Sequence, residues 1–121
     1  MRLLDSNILI YALQPRHNNL RIFLANKDNA VSIVTKIEVM GFKGLTLDER
    51  NYLEIVFDNL NILSLTSEIA EQATQLKLQK KMSLGDSIIG ATALFYDIEL
   101  VTHNFDDFKS IKALRLHDPV K

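Results

Sequence analysis

Residues 83–102 read SLGDSIIGATALFYDIELVT. From Ser83 to Tyr96 the run is apolar nearly all round, which predicts a central helix buried on every side. Leu100-Val101-Thr102 follows as a strand. A helix buried this way needs further layers around it, and the rest of the chain supplies them by alternation. Arg2-Leu3-Leu4 reads as a first strand ending at Asp5. A helix over 7–13 has Ser6 as its cap and Pro15 as its stop. Leu20, Phe23 and Leu24 recur at helical spacing, and the β-branched run 30–33 reads as a second strand. Thr35 to Met40 gives a helical turn or two, punctuated by Gly41 and Gly44. Thr46 to Asn59 is an amphipathic helix with Leu53, Val56, Phe57 and Leu60 on one face and a Thr46–Glu49 capping box. A third strand over 62–65, a helix over 67–81 and a possible fifth strand over 114–116 complete the pattern. Strands alternating with helices predict an α/β domain over 1–121. Its architecture would be three-layer α/β/α, around a mostly parallel sheet of four to five strands.

A chain of 121 residues buries a core without staples, and its 47% hydrophobic content is ordinary for a folded protein. No cysteine is present, so disulfides and thiolate metal sites are excluded, and any metal must sit on oxygen or histidine. Met1-Arg2 runs directly into Leu3-Leu4-Asp5, with no apolar stretch of signal-peptide or membrane-span length. The longest such run, around 88–96, is broken by Gly90 and Thr92. A cytoplasmic protein without membrane contact is expected. The net charge of −1 does not advertise nucleic-acid binding, but clustered carboxylates lower net charge where bound cations restore it.

In parallel α/β sheets, ligands bind beyond the carboxyl ends of the strands. Asp5 follows the first strand, Glu38 the second, and Asp106 and Asp107 the fourth. Asp86 lies in the first turn of the buried helix, where a carboxylate is favoured. It joins the others only if that helix end faces the same crevice. Like charges brought together raise one another's proton affinity, so such a cluster calls for a cation. Oxygen-ligated Mg2+ or Mn2+ suits this donor set.

Each carboxylate also has a plain structural reading. Thr35-x-x-Glu38 and Ser83-x-x-Asp86 have capping-box spacing, Asp5 suits a strand-end cap, and Asp106-Asp107 suits a solvated turn. Their joint occurrence at element ends, in order, favours function. His103 is expected to point away from the carboxylates, and His17 and His117 to lie at the surface. No histidine pair has zinc spacing. Lys36, Lys43, Lys77, Lys80 and Lys81 are candidates for a basic RNA rim, although the last three read better as a solvated helix face. Phe42, Leu45 and the helix around Leu53 offer a partner surface or ordinary core.

Four stretches carry a resemblance: LDSN at 4–7, Thr35 with Glu38, LGDSIIGA at 84–91, and LVTHNFDDF at 100–108. Together they resemble the PIN-domain family, within it the VapC-type toxin ribonucleases of toxin–antitoxin pairs. The resemblance implies a Mg2+- or Mn2+-dependent endoribonuclease. Asp5 and Asp86 would be the principal metal ligands, and Glu38 would bind metal or position water. The fourth acidic position falls on Asp107 by ungapped alignment, with Asp106 as the alternative. Some members carry an acid where this chain has Asn104. Ser6, Asn7 and Thr102 match polar supports of the site, and Gly90 stands where alanine is usual. A cognate antitoxin and a homodimer are further implications. The competing readings are a non-catalytic RNA- or protein-binding module and an aspartyl phosphotransferase. The intact acidic set disfavours the first. The second would require an aspartate at Asn7.

Overall fold

The computed structural model describes residues 1–120. In chain order the elements are β1 (Arg2–Leu4), α1 (Ser6–Tyr11), a 3-10 turn (Pro15–His17), α2 (Asn18–Leu24), β2 (Asn29–Ser32) and α3 (Ile33–Met40). Then come α4 (Leu47–Asp58), β3 (Asn61–Leu63), α5 (Ser67–Gln79), α6 (Leu84–Tyr96), β4 (Glu99–Val101), α7 (Phe105–Phe108) and β5 (Leu116–His117). The five strands form one sheet in the order β3-β2-β1-β4-β5, and every neighbouring pair is parallel. This is the expected α/β/α architecture.

Period-two alternation along short strands sends neighbouring residues to opposite faces. Leu3, Ala30 and Leu100 pack with Ile69, Ala73 and Leu76 of α5 and Ile88 and Ile89 of α6. Their neighbours Leu4, Val31 and Val101 pack on the other face with Ile8, Leu9, Leu20, Leu24, Leu53 and Phe57, from α1, α2 and α4. Each fully buried leucine or phenylalanine here contributes about 1.5–3 kcal/mol, so the two cores carry most of the stability.

Helix α6 is buried from Ser87 to Ala93 and emerges at both ends, where Leu84, Phe95 and Tyr96 are exposed. Gly90 sits in the buried stretch. A methyl group there would stand 3.1 Å from Ile111 Cδ1 and 3.5 Å from Leu76 Cδ1. Those two side chains therefore close over the helix where an alanine would hold them off.

The Thr46–Glu49 capping box of α4 is present in both directions, at 3.1 and 2.9 Å. Other boundaries differ from expectation. The cap of α1 is Asp5 rather than Ser6, and Pro15 opens a 3-10 turn beyond the helix instead of stopping it. Strand β2 ends at Ser32, whose hydroxyl accepts from Val34 N at 3.1 Å and caps α3. Thr35 therefore lies inside α3, and the expected Thr35–Glu38 capping box does not form. The last strand is 116–117 rather than 114–116.

The order of the strands sets the place for chemistry. The chain leaves β1 toward β2 on one side and returns from β3, across β1, to β4 on the other. A crevice therefore opens beyond the carboxyl ends of β1 and β4.

Candidate active site

Asp5 stands at that crevice, at the end of β1, and is only 5% exposed. Its Oδ1 accepts from Ser6 N at 2.8 Å, and its Oδ2 accepts from Thr102 Oγ1 at 2.8 Å and Asn7 Nδ2 at 3.2 Å. Thr102 directly follows β4 and is fully buried. Its hydroxyl also accepts from Asn104 N at 3.0 Å and Asn7 Nδ2 at 3.4 Å. Asn7 Oδ1 accepts from His103 N at 3.4 Å, and Asp5 N donates to Val101 O at 2.9 Å. The two strand ends are thus stitched together around one carboxylate. Burial pushes that carboxylate up to about 6 against the bonds from Thr102 and Ser6, and the charges of Asp86 and Glu38 add to the rise.

Glu38 lies on the exposed side of α3, with Oε2 3.5 Å from the place a Cβ on Gly85 would occupy. Its carboxylate therefore rests against the first turn of α6, where the helix dipole favours negative charge. Burial raises its proton affinity, and Asp86 raises it further. Asp86 is half-buried in that first turn, and its N–H donates to Ser83 Oγ at 3.1 Å. It is raised by burial and then by Asp107, and lowered by its bond to Ser83. The reciprocal cap of Thr46 and Glu49 is not repeated here among the described residues, although the Asp86 carboxylate keeps a hydrogen bond to the side chain of the cap residue Ser83. The structure thus places Asp86 and Glu38 within electrostatic reach of Asp5 and of each other, while Asp107 reaches Asp86. Asp106 is exposed and pairs with Lys109 at 2.9 Å.

Among the described residues, none of these four carboxylates is ion-paired to lysine or arginine. Nor is any set of three or more acidic or histidine side chains drawn in to metal-holding spacing among them. All four donors are carboxylate oxygens, the chemistry a small hard cation takes, although as placed they do not converge on one point. Mg2+ keeps several of its waters and needs one or two carboxylates directly, the others acting through water or at a distance.

Some neighbours were not legible in the sequence. His103 turns its ring to Asp118, with Nδ1 2.8 Å from Oδ2, and sits edge-on to Tyr11 at 5.4 Å. Nothing local in the sequence announces that pair. His17 and His117 are half-buried rather than superficial. His17 meets Tyr11 edge-on at 5.4 Å, and His117 stacks on Phe23 at 6.4 Å. Lys77 donates to Met82 O at 3.0 Å, a local use on its own helix end.

Thr35, three residues before Glu38, is completely buried, and its Oγ1 has no hydrogen-bond partner among the described residues. An orphaned hydroxyl is a cost that valine, of the same shape, removes. Thr35→Val is expected to raise stability by about 1 kcal/mol, read as a higher urea midpoint at unchanged slope. A lower midpoint would show that an ordered water satisfies the hydroxyl.

Comparison with known proteins matches residues 2–114 to the family model described as PIN domain. Ribonuclease VapC2 of Rickettsia felis is 30% identical over 129 residues, covering 96% of both chains. Among solved structures, a toxin–antitoxin complex from Klebsiella pneumoniae superposes with a TM-score of 0.80 at 31% identity, covering 98% of each chain. VapBC2 from Rickettsia felis, bound to a DNA fragment from its promoter, superposes with a TM-score of 0.75 at 25% identity and 97% coverage of each. With the model matched over nearly the whole sequence and a relative alike along its full length, this chain belongs to the PIN domain family.

Proposed function

We propose that the chain is a single PIN domain over 1–121 acting as a metal-dependent endoribonuclease, the toxin of a toxin–antitoxin pair. Asp5, Glu38, Asp86 and Asp107 would hold Mg2+ or Mn2+ and carry the reaction. One observation carries this reading: a buried carboxylate pushed up to about 6, with two more acids adding to the rise and no cationic side chain paired to it. The ribonuclease and toxin–antitoxin names of the relatives support it.

In the proposed reaction, water attacks phosphorus in line, a P–O bond forms, and the bond to the 3′-oxygen breaks. The products are a 5′-phosphate and a 3′-hydroxyl. A bound divalent ion would supply neutralising charge, a more acidic water and stabilisation of the leaving oxygen. Thr102, Asn7 and Ser6 fix both oxygens of Asp5 before substrate arrives, so no reorganisation is needed at the reacting centre. Glu38, the most exposed of the raised acids, is suited to orient the attacking water and accept its proton. Asp107 rather than Asp106 fills the fourth position in this reading, because its charge reaches Asp86 while Asp106 pairs outward with Lys109.

A cavity of about 230 Å3 lined by Ser6, Ile10, Glu38, Val39 and Phe42 adjoins the acids and would seat an antitoxin segment that covers them. A homodimer belongs to the same proposal, and so does work in the cytoplasm. No described helix is long and apolar enough to cross a membrane.

The test incubates wild type and Asp86→Asn with a mixed RNA pool in Mg2+, Mn2+ or EDTA. Cleavage is expected with either metal and is expected to vanish in EDTA and in the variant. A folded, metal-loaded wild type that leaves every RNA intact would turn the assignment toward a binding role.

A further inference from the structure

Glu38 is the third residue from the end of α3, a helix of 8 residues. It is exposed, and its carboxylate accepts no hydrogen bond among the described residues, resting near Gly85. Its position therefore depends on the backbone of that last turn, the part of a helix that frays first.

Many helices close with a left-handed residue that turns amides back onto the last carbonyls. Helix α3 does not. Gly41 follows it at φ −82°, still right-handed. Gly41 N donates to Ile37 O at 2.8 Å, and Phe42 N reaches Val39 O at 3.3 Å. The next carbonyls are taken by a side chain from another helix. Arg50 Nη1 donates to Met40 O at 2.7 Å, and Arg50 Nη2 donates to Phe42 O at 3.2 Å. One guanidinium thus spans both sides of Gly41. Its charge lies at the end of α3, where a cation is favoured. Lysine lacks the rigid fork that holds two acceptors at once.

Arg50 is itself well placed. It is the fourth residue of α4, and its N–H donates to Thr46 O at 2.9 Å, inside the turn that the capping box fixes. Glu54, one turn further along, and Asp58 line the same cleft of about 420 Å3 as Arg50. Among the described residues neither is ion-paired to it. Its guanidinium is committed to the end of α3 instead. The grip also bears on the wall of the site, because Phe42, whose carbonyl is held, lines the cavity beside Glu38 and Val39.

We propose that Arg50 is a positioning residue for RNA cleavage, which fixes the last turn of α3 through Met40 O and Phe42 O and so holds the Glu38 carboxylate where it orients the attacking water. This deepens the ribonuclease reading and rests on it.

The test uses Arg50→Gln and Arg50→Lys. Single-turnover cleavage at saturating RNA is expected to slow roughly tenfold or more in Arg50→Gln. The RNA concentration that gives half the maximal rate is expected to stay within about twofold of wild type. Arg50→Lys, which keeps the charge and one of the two bonds, is expected to fall between. On a Glu38→Gln background the loss from Arg50→Gln is expected to vanish, because the two residues act as one unit. A second readout needs neither RNA nor metal. In NMR spectra of the metal-free protein, Arg50→Gln is expected to move the backbone signal of Gly85 and to speed hydrogen exchange at the Gly41 and Phe42 amides about tenfold. Should Arg50→Gln unfold, Arg50→Lys carries the same readouts. A wild-type rate, a loss that persists in full on the Glu38→Gln background, or a Gly85 signal that stays still would overturn the positioning role. If wild type cuts no RNA while the Gly85 signal and the exchange still respond, the nuclease reading falls and the hold of Arg50 on Glu38 stands.

Discussion

Asp5→Asn is expected to stabilise the metal-free protein at pH 8 by about 1–2 kcal/mol while lowering RNA cleavage on the order of a thousandfold or more. The two effects share a cause. Asp5 is buried, and its carboxyl is pushed up to about 6 from an ordinary value of 3.8. A raised acid favours the folded state while protonated. That contribution is complete below the unfolded value of 3.8 and is lost as pH rises through about 6. The metal-free protein should therefore weaken between roughly pH 4 and pH 7, by up to about 3 kcal/mol from this group. Asparagine removes the charge and the loss with it. Its oxygen still accepts from Ser6, but Thr102 Oγ1, which already accepts from Asn104 N and Asn7 Nδ2, loses the acceptor for its own proton. Asn7 loses an acceptor, which offsets about 1 kcal/mol. Urea titrations of both proteins in EDTA at pH 5 and pH 8 would measure the difference. A variant less stable than wild type at pH 8 would mean that the hydrogen bonds to Asp5 outweigh its burial. Cleavage at the wild-type rate would remove Asp5 from the chemistry.

The largest structural loss is expected at Phe108→Ala, about 3–5 kcal/mol, against a total stability of about 5–15 kcal/mol for a domain of this kind. Phe108 is fully buried in the core shared by α5 and α6. It also closes α7, a helix of 4 residues that is far too short to hold itself. Phe108 and Ile111 moor that turn to the domain, and Asp107 is the residue just before the mooring. The variant should therefore cut more slowly than its folded fraction accounts for, with Phe108→Leu much nearer wild type. Denaturant midpoints and single-turnover cleavage, taken at a temperature where every variant is folded, would separate the two losses. Wild-type cleavage by folded Phe108→Ala would show that the reaction does not need Asp107 held by α7.

The elements that sequence reading places well are those whose pattern is long or repeated. The face of α4 with its capping box and the apolar run of α6 are legible because many residues agree. Short signals mislead. Thr35-x-x-Glu38 and Thr46-x-x-Glu49 share a spacing, yet only the second is a cap. Strand β2 ends at Ser32, and the first hydroxyl to reach an open N–H takes the role. The approach of Glu38 to the bare backbone of Gly85 depends on how α3 crosses α6, which neither segment encodes alone. Asp106 and Asp107 are equivalent as letters. Their difference arises because adjacent residues on a helix point about 100° apart, so one pairs with Lys109 at the surface while the other is felt by Asp86. The link between His103 and Asp118 spans 15 residues and a strand, and only the closed fold reveals it.

The stitch between β1 and β4 has a temporal side. Asp5 and Thr102 are separated by 97 positions, and β1 lies in the middle of the sheet with β4 along one of its edges. A ribosome therefore delivers the central strand well before its second neighbour. Until β4 docks, Asp5 lacks the hydroxyl that fixes it, and the acids on α6 and α7 have no common place to gather. A product that stalls or is cut before about residue 108 lacks the anchor of α7 and has no assembled centre. The ability to destroy RNA would then arrive all at once, with β4 and α7, rather than growing as the chain emerges. A cell making such a protein would be spared damage from its unfinished copies.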